Sequence, residues 1–117
     1  DLKSIDAQRN LALHSEALSL EELIIAIDNN LKADGNFAVL LPYHRTKYFE
    51  ELAAAKNFHL AEKMLVKQTP KHGYFRSMLL FGREPFATVE KEIIIKNESN
   101  AYTNEFATLL KDYYLNL

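Results

Sequence analysis

"NFAVLLPYHRTKYFEELAAAK", residues Asn36 to Lys56, decides the fold. Phe37 to Leu41 are apolar without alternation. A strand of that kind is expected to be covered on both faces, the habit of a parallel strand flanked by helices. Pro42 stops it. "HRTKYFEELAAAK" then reads as a helix with Phe49, Leu52 and Ala53 turned inward and Asn57 at its end. Phe58 to Lys67 follows as a second strand. Helix and strand alternate here, which predicts an α/β sheet with a right-handed crossover between two parallel strands.

Upstream, "SLEE" places Ser19 as an N-cap with Glu22 three residues on, the capping-box pattern. Leu20, Leu23, Ile24, Ile27 and Leu31 then share one helical face, and Gly35 is expected to close the helix in a left-handed conformation. Downstream, Gln68 to Phe75 is a loop containing Pro70 and Gly73, too short for a crossover helix. Ser77 to Phe81 is therefore predicted to run antiparallel to the strand before it. "ATVEKEIIIK" reads as a fourth strand and "NESN" as a turn. Tyr102, Phe106, Leu109, Leu110 and Tyr113 then fall on one face of a terminal helix, where Tyr102 and Tyr113 read as packing residues.

The chain has 117 residues, 48% of them hydrophobic, so a single domain with a real core is expected over residues 1–117. Its formal net charge of -2 excludes a polycation that coats nucleic acid, so a basic site must come from local segregation of charge. The absence of cysteine excludes disulfides, thiolate metal sites and thiol catalysis, and fits a reducing cytoplasm. No apolar run approaches the roughly 20 residues of a membrane span. The opening "DLKSIDAQRNLALHSEAL" shows no strong helix or strand pattern. So long an irregular start suggests a piece of a longer polypeptide.

Several chemistries lack their residues. Gly35, Gly73 and Gly82 are too scattered for a phosphate-cradling loop. His14, His44, His59 and His72 show no metal-ligand spacing. Glu21-Glu22 and Glu50-Glu51 stand at helix starts, where carboxylates suit the dipole.

The remaining signal is positional. In parallel strands the carboxyl ends share one edge, where ligands of open α/β sheets bind. Pro42 to Thr46 and Lys67 to Arg76 leave that edge. They hold His44, Arg45, Lys67, Lys71, His72 and Arg76, and neither contains Asp or Glu. Tyr43, Tyr74 and Phe75 interleave with them. Cations hold phosphates and rings stack on unpaired bases. Against this stands a plainer reading: loops basic by chance, with Tyr74 and Phe75 anchoring the hairpin. Arg76 is the strongest candidate because it enters an apolar strand, where a charge needs either a carboxylate or a ligand. Arg9 and His14 lie in the irregular opening, Arg9 as a further RNA-binding candidate.

"LALHSEALSLEELI", "LKADGNFAVLLP", "FRSMLLFG" and above all the ending "NAYTNEFATLLKDYYLNL" resemble the C-terminal part of the bacterial tRNA1(Val) adenine N6-methyltransferases, S-adenosylmethionine-dependent enzymes of the Rossmann-like class. The likeness extends over essentially the whole chain. It implies an α/β fold that is the C-terminal half of a methyltransferase sheet: two parallel strands plus an antiparallel hairpin strand, flanked by helices. Phe37–Leu41, Phe58–Lys67 and Ser77–Phe81 would be its fifth, sixth and seventh strands.

The family's glycine-rich cofactor loop and its Asn-Pro-Pro-aromatic motif do not occur here. The resemblance thus implies S-adenosylmethionine for the full-length protein and none for this segment, with no catalytic or cofactor-binding residue in it. Where family members carry an Ala-Arg pair, this chain has Ala12-Leu13, so no arginine contact carries over. The implied reaction is direct methyl transfer to an anticodon-loop adenine, with tRNA as partner and no metal. The alternative is a non-catalytic α/β interaction or RNA-binding module. The two differ at strand 37–41: in a fragment its open edge invites pairing or element exchange between two chains, whereas a self-sufficient module covers it.

Overall fold

A computed structural model of the chain describes residues 19–113. The elements run α1 (Leu20–Asn30), β1 (Asn36–Pro42), a short 3-10 turn (Tyr43–Arg45), α2 (Thr46–Ala55), β2 (His59–Lys67), β3 (Tyr74–Gly82), β4 (Val89–Ile94) and α3 (Asn104–Tyr113). The strands form one sheet in the order β1-β3-β2-β4.

β3 lies antiparallel to both β1 and β2, so those two run the same way although they do not touch. β4 is parallel to β2. The co-directional pair expected from the sequence is present, and the hairpin strand has slipped between its members. β3 also starts three residues earlier than Ser77, because Tyr74 and Arg76 already pair with Lys67 and with Val66 and Pro42.

One face of the sheet carries the main core. Leu23, Ile24 and Ile27 of α1 and Phe49 and Ala53 of α2 pack onto Phe37, Val39, Leu41, Leu79 and Phe81. Phe37 meets Phe81 in a stack and Phe58 edge-on, at centroid distances of 5.2 and 4.9 Å. The only buried polar side chains on the described residues, Thr46 and Ser77, satisfy each other at 2.6 Å.

The opposite face is covered in part. Met64, Val66, Met78 and Ile93 are buried there, with Phe106 and Leu109 of α3 against them. β1 is not covered on this side: Ala38 is exposed and Leu40 half-buried. The expectation of two covered faces therefore fails for β1. α3 packs on β4, at the edge of the sheet opposite β1, and β1 alternates between buried and exposed positions.

Local chemistry explains the boundaries. The Ser19–Glu22 capping box forms in both directions, at 3.0 and 3.3 Å. Asn57 ends α2 with φ 65, the left-handed region that asparagine tolerates. Gly35 departs from its expected role. α1 ends earlier, at Asn30, and no glycine has positive φ. Gly35 lies against Leu31 instead, whose side chain would have to shift from a Cβ placed there, 2.8 Å from its Cδ1. Among the described residues no helix is long and apolar enough to cross a membrane.

Candidate functional site

The carboxyl ends of β1, β2 and β4 lie on one rim. Pro42 pairs with Arg76, Lys67 with Tyr74 on one side and with Ile94 on the other. The turn after β1, the β2–β3 loop and the chain leaving β4 are thus brought together by strand direction alone. His44, Arg45, Lys67, Lys71, His72 and Arg76 all stand on this rim. Arg9 and His14 lie outside the described residues.

The rim is less uniformly basic than the two loops suggest. β4 brings Glu92 up beside β2, where it pairs with Lys67 at 3.9 Å and accepts a hydrogen bond from the Tyr74 hydroxyl. That bond raises the Tyr74 phenol above its ordinary value. Lys67 also sits 5.0 Å from the Tyr74 ring centre, so its charge is already engaged. Arg45 lies over Tyr48 at 5.4 Å.

Arg76 and Lys71 differ from Lys67. Both are exposed, and neither has an ion-pair partner among the described residues. The Arg76 guanidinium lies over the Phe75 ring at 5.3 Å and donates to the Phe75 carbonyl oxygen at 3.3 Å. A charge here needs no buried partner, because Arg76 lies on the exposed start of β3, before the buried run that opens at Ser77. His72 Nδ1 and Thr69 Oγ1 lie 2.6 Å apart, which fixes the imidazole on the loop.

The aromatic residues divide. Phe75 packs against the α3-side core and is an anchor. Tyr74 is half-buried and held by Glu92. Tyr43 is 42% exposed and leans on Tyr74 with ring centroids 5.4 Å apart, so it offers a ring to solvent.

A second ring on the rim escapes the sequence pattern. Tyr102 is not a helix residue. It makes an isolated antiparallel bridge with Lys96, just before α3 begins, and is 66% exposed. Its ring stacks on Phe106 at 5.6 Å, and Lys96 Nζ lies 5.1 Å from its centre. The spacing of Tyr102 and Phe106 imitates helical periodicity. Thr103 marks the true boundary, because its Oγ1 accepts from the Phe106 N–H at 3.1 Å.

The three glycines form no phosphate-cradling loop. Gly35 and Gly82 are packed against neighbouring side chains, and Gly73 stands alone on the loop. No group of three or more His, Cys, Asp or Glu side chains gathers there to hold a metal.

No protein-family model matches the chain. It is 34% identical over 118 residues to a tRNA1(Val) (adenine(37)-N6)-methyltransferase of Flavobacterium johnsoniae, covering 100% of this chain and 50% of that protein. It is 33% identical to the protein of the same name from Pseudoalteromonas translucida, covering 99% of this chain and 50% of that one. The chain spans about half the length of the curated relatives it matches. Among solved structures, a predicted O-methyltransferase of Agrobacterium tumefaciens superposes with a TM-score of 0.66 at 17% identity, over 80% of this chain and 45% of that one. That likeness supports the fold: an α/β arrangement with a mixed sheet flanked by helices.

Proposed function

We infer function from one premise: this chain matches, end to end, a C-terminal segment of the tRNA1(Val) (adenine(37)-N6)-methyltransferase family. The whole protein is then a tRNA methyltransferase that acts on the N6 amino group of an anticodon-loop adenine, in the cytoplasm where tRNA is found. S-adenosylmethionine, when bound, supplies the methyl group. The glycine-rich cofactor loop that the resemblance implies does not occur in this sequence, so we assign its site to the part of the relatives that this chain does not span.

This segment contributes the rim. Arg76 and Lys71, with Arg45 beside them, hold phosphates of the tRNA backbone. Tyr43 offers a ring to an unpaired base, and His72 adds a donor from the loop. Lys67 has a positioning role, keeping Tyr74 and Glu92 in place. The observation that carries this reading is the convergence of three co-directional strand ends on one edge, with Arg76 and Lys71 left without carboxylate partners among the described residues.

Lys71→Glu combined with Arg76→Glu in the whole protein tests it. Both positions are exposed, so the fold is expected to survive. Affinity for the tRNA should fall, and the slope of log affinity against log salt should shrink by roughly 1 for each phosphate no longer held. An unchanged affinity and slope would falsify the assignment.

The outer edge of β1 supports a finer proposal. β1 ends the described sheet, with β3 on one side only. In the whole protein that edge takes another strand, and in this segment alone it pairs between two chains. Solution mass of the segment, with hydrogen exchange over Phe37 to Leu41, distinguishes the cases. A protected monomer would instead favour a self-sufficient interaction module.

A further inference from the structure

Besides its cations, the rim holds a pocket. A cavity of about 480 Å³ opens between the β2–β3 loop and the chain leaving β4, bordered by Gln68, His72, Lys96, Asn100, Tyr102 and Phe106. Its size falls in the range of small-ligand sites, roughly 300–1,000 Å³. A backbone bond from Lys96 N–H to the Gln68 carbonyl oxygen, 2.9 Å, ties its two walls together. The Asn97 side chain stiffens the second wall, accepting from the Ser99 and Ala101 N–H groups at 2.9 and 3.0 Å.

The lining has the composition of a nucleotide site. Tyr102 presents a ring that is largely in solvent and is braced by Phe106. Lys96 brings a cation to the same ring. The side-chain amides of Gln68 and Asn100 and the Nε2 of His72 have no hydrogen-bond partner among the described residues. A braced ring, a cation on a flexible stem and unpartnered amide and imidazole groups are what an unstacked base with its phosphate requires.

We propose that this pocket takes one unstacked nucleotide of the RNA, its base on Tyr102 and its phosphate at Lys96. The base takes the ring from the lysine tip, and the ammonium turns to the phosphate. Gln68, Asn100 and His72 meet the base edge. The ligand class rests on the reading of the protein as a tRNA methyltransferase. The pocket places a second nucleotide apart from the adenine that is methylated, gripped by the same rim.

The test uses the whole protein and two readouts. A fluorescent short single-stranded RNA is titrated against the wild type, Tyr102→Ala, Tyr102→Phe and Lys96→Ala, and methyl transfer to tRNA is measured in parallel. Tyr102→Ala should weaken RNA binding roughly tenfold, the scale of one base–aromatic stack. It should raise KM for tRNA by a similar factor while kcat stays within about twofold of wild type. Tyr102→Phe should restore both, since it keeps the ring. Lys96→Ala should weaken binding and flatten the salt dependence.

RNA binding that is indifferent to Tyr102→Ala overturns the proposal. So does a loss that Tyr102→Phe fails to restore, or one confined to kcat with a matching fall in melting temperature. If the wild type binds RNA through Tyr102 yet transfers no methyl group to tRNA, the pocket stands and the functional reading falls.

Discussion

Two arginines stand near opposite ends of β3, and their surroundings are opposite too. Arg83, just past the strand, is fully used. Its guanidinium donates to Asp28 Oδ1 at 2.9 Å, to the Asp28 carbonyl at 2.8 Å and to the Leu31 carbonyl at 3.1 Å, and it lies 4.8 Å from the Phe58 ring centre. It closes the carboxyl end of α1, where helix carbonyls lack partners of their own. Arg76, at the other end, has no carboxylate partner among the described residues, and its guanidinium lies over the neighbouring Phe75 ring. One residue type on one strand thus does two jobs. At the amino-end rim of β1 and β2 the cation is part of the fold. At the carboxyl-end rim it has no carboxylate partner among the described residues.

That contrast can be broken directly. The largest effect is expected at Arg83. Arg83→Ala leaves Asp28 and two helix-end carbonyls without their donor and should lower stability by about 2 kcal/mol, read from the denaturant midpoint. Arg76→Ala should change stability by less than about 0.5 kcal/mol, as exposed substitutions do. Equal losses at the two sites would erase the distinction between the rims.

A smaller effect sharpens the contrast within the carboxyl-end rim. Tyr74 donates to Glu92, and that bond raises the phenol above its ordinary value of 10.0. A raised phenol favours its protonated form in the fold. Its contribution is therefore complete below the ordinary phenol value and is lost as pH rises through the higher folded value. Glu92→Gln should return the Tyr74 titration, followed by ultraviolet absorbance, toward the ordinary value, and should free Lys67. If Lys67 then adds to the salt dependence of RNA binding, its present role is positional.

The smallest effect lies away from both rims. Tyr48 donates to Glu21 and holds that carboxyl below its ordinary value of 4.5. A lowered carboxyl stabilises the fold above its ordinary value, and the contribution disappears as pH falls through the lower folded value. Tyr48→Phe should raise the Glu21 titration, followed by carbon-detected NMR, and slightly narrow the acid range of the fold. An unmoved Glu21 would show that the bond does not persist in solution.

The alternation of elements is legible in the sequence because each leaves a local signature. Ser19 and Glu22 announce α1, the apolar block at Phe37–Leu41 announces a strand, and Asn57 stops α2. The shared direction of β1 and β2 follows from the helix between them, and with it the rim. The position of β3 between those strands is not legible, because pairing is a tertiary choice that no short window records. Gly35 misleads for a related reason: the helix ends before it, at Asn30, and its own torsion is ordinary. Glu92 escapes a reading confined to the loops, because a neighbouring strand supplies it. The spacing of Tyr102 from Phe106 draws it into a helix it does not join. Thr103, a capping residue between the two, is the signal that separates them.

The strand order also bears on how the chain acquires its shape. Ribosomes deliver β1 and β2 before β3, yet β3 is the only described strand that pairs with β1. Until residue 82 has left the exit tunnel, β1 and β2 have no strand to join them to each other, and chaperones have something to guard. A slow pause codon placed just before Tyr74 would lengthen that wait, and misassembled chains should accumulate in proportion to it.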